Sequence, residues 1–203
     1  MSIASSTPTT DSPALDVPHV KRWTSEEYLR LGELGAFEGQ KVELIAGEIV
    51  QHMSPQGEPH AASIALTADA LRQAFGQGFY IRAQFPLALF PGSTPEPDVA
   101  VVPGSPRDYP TAPTTALLIV EVSDSTLAFD RRPKASLYAA AGIAEYWIVD
   151  LRARALEVRR DPIADPAEPH GARYASTFTV APGQTLSPLA APNAVVDPAQ
   201  LLP

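Results

Sequence analysis

Apolar and polar positions along this chain of 203 residues alternate between two periods, one near 3.6 and one of 2. Thr24, with Glu27 three residues on, fits a capping box, and Tyr28, Leu31 and Leu34 follow at helical spacing, which predicts a helix ending near Gly35. Val42 to Ile45 and Glu48 to Val50, joined by Ala46 and Gly47, predict a hairpin. Ile64, Leu66, Leu71 and Phe75, in an alanine-rich run from His60, predict a long helix stopped at Gly76. Tyr80 to Phe85 and Leu87 to Leu89 read as strands, with Pro86 marking an irregularity. Pro97 to Val102 and Ala116 to Val122 are almost continuously apolar, as in strands covered on both faces. Arg131 to Ala141 predicts a third helix, capped by Asp130 and with Pro133 in its first turn. Glu145 to Val149 and Ala155 to Val158 predict another hairpin, with short strands at Tyr174 to Val180 and Ala194 to Val196. Together these elements predict an α/β (α+β) fold with a central mixed β-sheet flanked by helices.

Composition narrows the chemistry. With no cysteine there is no disulfide, thiolate zinc site or thiol nucleophile. The net charge of −8 and pI near 4.9 argue against broad non-specific nucleic-acid binding, while leaving room for a local basic patch. Residues 1–20 are rich in Ser, Thr and Pro, lack a secretory signal and read as a disordered tail, leaving 21–203 as one domain. The apolar runs around Leu117 and Ala139 are too short to span a bilayer, so the expectation is a soluble, cytoplasmic protein with no membrane partner.

Two apolar segments carry an acid, Asp98 and Glu121, which is costly unless a cation meets it. Each acid falls near a strand end. On neighbouring strands the two could share one ion, with the Val122 carbonyl as a further oxygen ligand; magnesium suits so sparse a set. Lys134 lies one turn after Asp130 and one turn before Tyr138, on one helix side. An ammonium beside such a site could orient a water or stabilise a phosphoryl oxygen, which points to phosphodiester hydrolysis. The same residues also fit plainer roles: Asp98 as a strand start, Glu121 as an arginine partner, and Asp130 with Lys134 as a surface ion pair. No Gly-x-Ser-x-Gly elbow, His-Glu-x-x-His helix or Walker-type loop is present.

Taken in order, Val42-Glu43-Leu44-Ile45-Ala46-Gly47-Glu48-Ile49, Met53-Ser54-Pro55, His60, Pro97-Asp98-Val99, Val120-Glu121-Val122-Ser123, Ser125-Thr126, Asp130, Lys134, Tyr138, Gly142, Glu145-Tyr146-Trp147 and Val149-Asp150 resemble the Uma-two family. These are largely bacterial restriction-endonuclease-like proteins of the PD-(D/E)XK nuclease superfamily. The resemblance spans Trp23 to Val158 and implies a restriction-endonuclease-like core. It implies Asp98 and Glu121 as metal ligands, Glu43 as an additional acid at the site and His60 as an accessory position. Ser123 stands where the superfamily carries its lysine, and the family pattern implies that Lys134 replaces it. The implied cofactor is Mg2+, with Mn2+ as a substitute, and the implied partner is nucleic acid, DNA first, cut by a protein that could work as a homodimer. The alternative is a non-catalytic member of the same fold that binds nucleic acid or protein. Glu48, His52, Tyr138 and Trp147 are expected to be structural.

Overall fold

The computed structural model describes residues 18–51, 57–90 and 92–203. Most of the tail predicted over 1–20, together with His52 and Met53-Ser54-Pro55, lies outside the described residues. The first helix, α1 (Ser25–Glu33), begins at the predicted capping box, in which Glu27 N–H donates to Thr24 Oγ1 and Thr24 N–H to Glu27 Oε2. Strands β1 (Val42–Ile45) and β2 (Glu48–Gln51) pair antiparallel in a sheet of their own. Their turn has positive φ at both Ala46 (49°) and Gly47 (79°), the arrangement that matches strand twist across a two-residue connection. Helix α2 (Glu58–Phe75) follows, ended by Gly76 at φ 67°.

The main sheet is six-stranded, ordered β3 (Phe79–Ala83), β4 (Val99–Pro103), β5 (Leu118–Ser123), β6 (Glu145–Asp150), β7 (Ala155–Ala164) and β8 (Ala172–Val180). Only β5 and β6 run parallel; every other pair is antiparallel. A parallel pair needs a crossover, and the chain supplies α3 (Leu127–Phe129), a π-helical turn (Asp130–Lys134) and α4 (Ala135–Ala140). Both sheet faces are buried. One is covered by Ile64, Leu71 and Phe75 of α2 with Val196, Leu201 and Leu202 of the C-terminal segment. The other is covered by Leu137, Tyr138 and Ile143, packed on Ala100, Ile119, Tyr146 and Ile148. That two-sided burial explains the unbroken apolar runs of β4 and β5.

Four expectations need correction. Asp130 is not a helix cap: the helix has already begun at Leu127, and Thr126 Oγ1 donates to Asp130 Oδ2 at 2.6 Å inside the continuous segment. Pro133 accordingly lies beyond the first turn, inside the π-helical turn, where the wider winding accommodates a residue with no N–H to give. Leu87 to Leu89 form no strand, because the chain after Pro86 bonds to loops instead, Leu87 N–H to Pro95 O and Ala88 N–H to Pro113 O. The predicted strand at Ala194 to Val196 reduces to a single bridge between Val196 and Leu186.

Candidate active site

Pairing of β4 with β5 sets Val99 opposite Val120, so the residues just beyond them, Asp98 and Glu121, meet across the strand boundary. The Val122 N–H donates to Asp98 Oδ2 at 2.9 Å, and the Asp98 N–H lies 3.4 Å from Glu121 Oε2. Both side chains are more than nine-tenths buried. Lys134 comes from the π-helical turn: its Nζ donates to Glu121 Oε1 at 2.8 Å and to Glu43 Oε1 at 3.1 Å. Glu43, on β1, also accepts the Glu96 N–H at 3.0 Å. Tyr138, one turn after Lys134, donates its hydroxyl to Glu121 Oε1 at 2.6 Å. His60, near the start of α2, places Nε2 3.3 Å from Asp98 Oδ1. Residues of β1, α2 and the crossover, remote in sequence, thus converge around the carboxylates of Asp98 and Glu121.

The charges do not balance. Burial drives the Glu121 carboxyl up to about 8, against the pull of Lys134 and with the charges of Asp98, Asp130 and Glu43 adding to the rise. Burial likewise raises Asp130 and Glu96 above the usual carboxylate range, in each case partly offset by a nearby lysine. For Lys134 burial acts to remove the proton, but the carboxylates of Glu121 and Glu43 outweigh it and hold the ammonium well above its ordinary value. Tyr138, pushed far up by burial and then by Glu121 and Glu43, remains a hydroxyl donor. One ammonium therefore faces Glu43, Asp98, Glu121 and Asp130, and a divalent cation is the partner such an excess of oxygen donors suits. Among the described residues no three acid or histidine side chains are grouped as a ready-made metal cage. Magnesium does not need one, since it takes few protein oxygens and keeps several waters. Asp98, Glu121 and the Val122 carbonyl fit that donor chemistry.

A family model described as "Uma2: Putative restriction endonuclease" matches residues 25–199, most of the chain. The chain belongs to the Uma2 family. Its fold is similar to a crystal structure described as a "putative nuclease belonging to DUF820" from Anabaena variabilis, with a TM-score of 0.61 at 16% identity. That alignment covers 88% of this chain and 97% of the other. No curated protein matches the chain. No helix among the described residues is long and apolar enough to cross a membrane.

In this Uma2 protein, Glu43, Asp98, Glu121 and Lys134, each singled out from the sequence, lie within one hydrogen-bonded cluster, and His60 touches its edge. Ser123 is buried, 3.5 Å from the Thr126 hydroxyl and hydrogen-bonded to the Asp130 side chain. Tyr138, expected to serve only the core, also binds Glu121; its spacing of four from Lys134 was the available signal. Glu96 had no such signal, because its proximity to Glu43 arises from a loop contact fifty-three residues apart. Trp147 is a core residue whose Nε1–H meets Glu145, and Glu48 pairs with Arg22 at the surface.

Proposed function

We propose that this protein hydrolyses nucleic-acid phosphodiester bonds with the help of a divalent ion, Mg2+ or Mn2+, held by Asp98, Glu121 and the Val122 carbonyl. The observation that supports this most directly is the delivery of Lys134 Nζ to 2.8 Å from Glu121, which supplies from a helix the ammonium that Ser123 does not supply from the strand. A magnesium ion bound there supplies positive charge to the reacting phosphoryl group and acidifies water. The chain's own residues do the rest. The Val122 N–H and His60 fix the Asp98 carboxylate. Lys134 and Tyr138 occupy Oε1 of Glu121 and so orient its second oxygen. Lys134 stabilises negative charge developing on the phosphoryl oxygens, a contribution made chiefly in the transition state. Glu43 holds Lys134 from its other side. Nucleic acid is the substrate class that family membership supports, with DNA as the first choice.

The test is magnesium titration with cleavage assays on DNA and RNA. Asp98→Ala should lose both metal binding and cleavage. Lys134→Met should lose cleavage while still binding magnesium. Because Lys134 is buried between two acids, this variant should also lose stability, on the order of 3–5 kcal/mol, part of it restored by added magnesium. Cleavage by Lys134→Met at the wild-type rate would exclude the lysine from the chemistry. Wild-type protein that cuts no nucleic acid with any divalent ion would favour a non-catalytic binding protein of the same fold.

A further inference from the structure

On the sheet face that carries Asp98 and Glu121, the far side of the crossover segment borders a cleft of about 140 Å³ between that segment and strands β7 and β8. Arg131, Arg132, Arg159 and Arg173 line it, with Glu168 the acid among the lining residues. So dense a grouping of arginine stands out in a chain of net charge −8. The π-helical turn divides its charges: Asp130 and Lys134 are buried toward the carboxylates, whereas Arg131 and Arg132 point outward, 47% and 66% exposed.

We infer that this cleft binds backbone phosphates of a nucleic acid whose reacting phosphodiester lies at Asp98 and Glu121, an inference that rests on the proposed function. The carboxylates around the arginines orient them without using up their donors. Arg131 gives Nε and one Nη to Glu157, Arg132 gives Nε to Glu168, and Arg173 gives Nε to Asp165. Arg159 gives one Nη to Glu157. Each guanidinium carries five N–H donors, so every one retains hydrogens for a second anion, in the planar fork that suits phosphate. Held by one edge, the side chains lose less freedom when a ligand takes the other. Location fits as well. Arg131 lies 3.7 Å from Asp150 at the C-terminal end of β6, and β5, which ends just after Glu121, runs parallel to β6. Arg131 thus stands at the sheet end that holds Glu121, across a single helical turn, and the cleft runs from it toward the opposite end, where Arg159 lies opposite Tyr146 and Arg173 opposite Ile163.

The test uses the full-length protein and short fluorescein-labelled DNA and RNA oligonucleotides, with calcium in place of magnesium, and reads dissociation constants across a salt series. The double variant Arg132→Gln/Arg173→Gln removes two exposed arginines that are not part of the carboxylate cluster, and its melting temperature should match wild type. Its binding should weaken several-fold, and the salt slope should fall by about 1.8 on duplex or about 1.4 on single strands, two phosphate contacts' worth. Glu168→Gln, which removes the acid lining the cleft, should tighten binding. Unchanged affinity and slope in both variants would overturn the inference, as would wild-type protein that binds no oligonucleotide. The proposed chemistry is judged separately, by whether Asp98→Ala abolishes cleavage.

Discussion

Glu121 keeps its proton to about pH 8 because it is buried beside three other acids, and Lys134 offsets only part of that cost. In the unfolded chain the same carboxyl ionises near its ordinary value of 4.5. Between those values the unfolded state releases the proton and the folded state does not, so this residue's contribution to stability declines from about pH 4.5 to about pH 8 and is level above it. Lys134, also raised above its ordinary value, acts in the same sense but only at higher pH, where its contribution is lost as pH climbs through the elevated value. Metal binding needs the ionised carboxylate, so magnesium affinity should rise with pH through about 8. Tyr138→Phe removes a 2.6 Å hydrogen bond that favours the charged form of Glu121. A bond to a charged group is worth about 1.5–3 kcal/mol, and 1.36 kcal/mol is one pKa unit, so the midpoint of the magnesium–pH curve should move up by about one to two units. Titrating wild type and variant over a pH series measures this; coincident curves would assign Tyr138 to packing alone.

At the scale of elements, the site depends on two departures from regular geometry, and only one of them could be read from the sequence. The β1–β2 turn is local, and Ala46-Gly47 between two alternating strands announces it. Its cost is visible too: Ala46 is held at φ 49° and is exposed, and Gly47 at φ 79° lies where an added Cβ would come within 2.8 Å of the Arg22 Cβ. Ala46→Asn should therefore stabilise the protein, by on the order of 0.5 kcal/mol, because asparagine accepts this conformation more readily. Gly47→Ala should destabilise it by about 1–3 kcal/mol, through backbone strain together with the clash. Thermal melts of the two variants check both signs. Since Glu43 rides on β1, Gly47→Ala should also lower cleavage. The π-helical turn is the departure that the sequence concealed. An α-helical period places Asp130 at a cap and Pro133 in a first turn, and nothing in the residue types reveals the extra winding that sets Lys134 and Tyr138 on Glu121. The carboxylates themselves were legible, since acids at the ends of apolar strands are rare enough to notice. The arginine cleft was not, because β7, β8 and the crossover contribute to it across more than forty residues and no local pattern joins them.

The whole molecule separates stability from chemistry by face. The core under α2 and the C-terminal segment meets the carboxylate cluster through the Val122 backbone and through His60 at one helix end, whereas the opposite core is built from the same helix that carries Lys134 and Tyr138. The C-terminal segment is tied down firmly: Ser63 Oγ donates to Leu201 O at 2.6 Å, Arg160 to Ser187 O at 2.7 Å, and the Leu189 N–H to the buried Glu145. Leu201 and Leu137 are both fully buried, one on each side of the sheet. Truncating either to alanine should cost about 2–5 kcal/mol, or roughly 4–20 °C in melting temperature for a chain of this size. Their functional consequences should differ. Leu137→Ala leaves a cavity beneath α4, three residues from Lys134, and should shift the ammonium and the Tyr138 hydroxyl enough to lower cleavage and magnesium affinity at temperatures where the protein is still folded. Leu201→Ala should melt earlier yet bind magnesium and cleave as wild type below its transition. Melting curves paired with cleavage rates at low temperature distinguish the two. Equal loss of activity in both variants would mean that the two faces move together and that the sheet does not insulate the site.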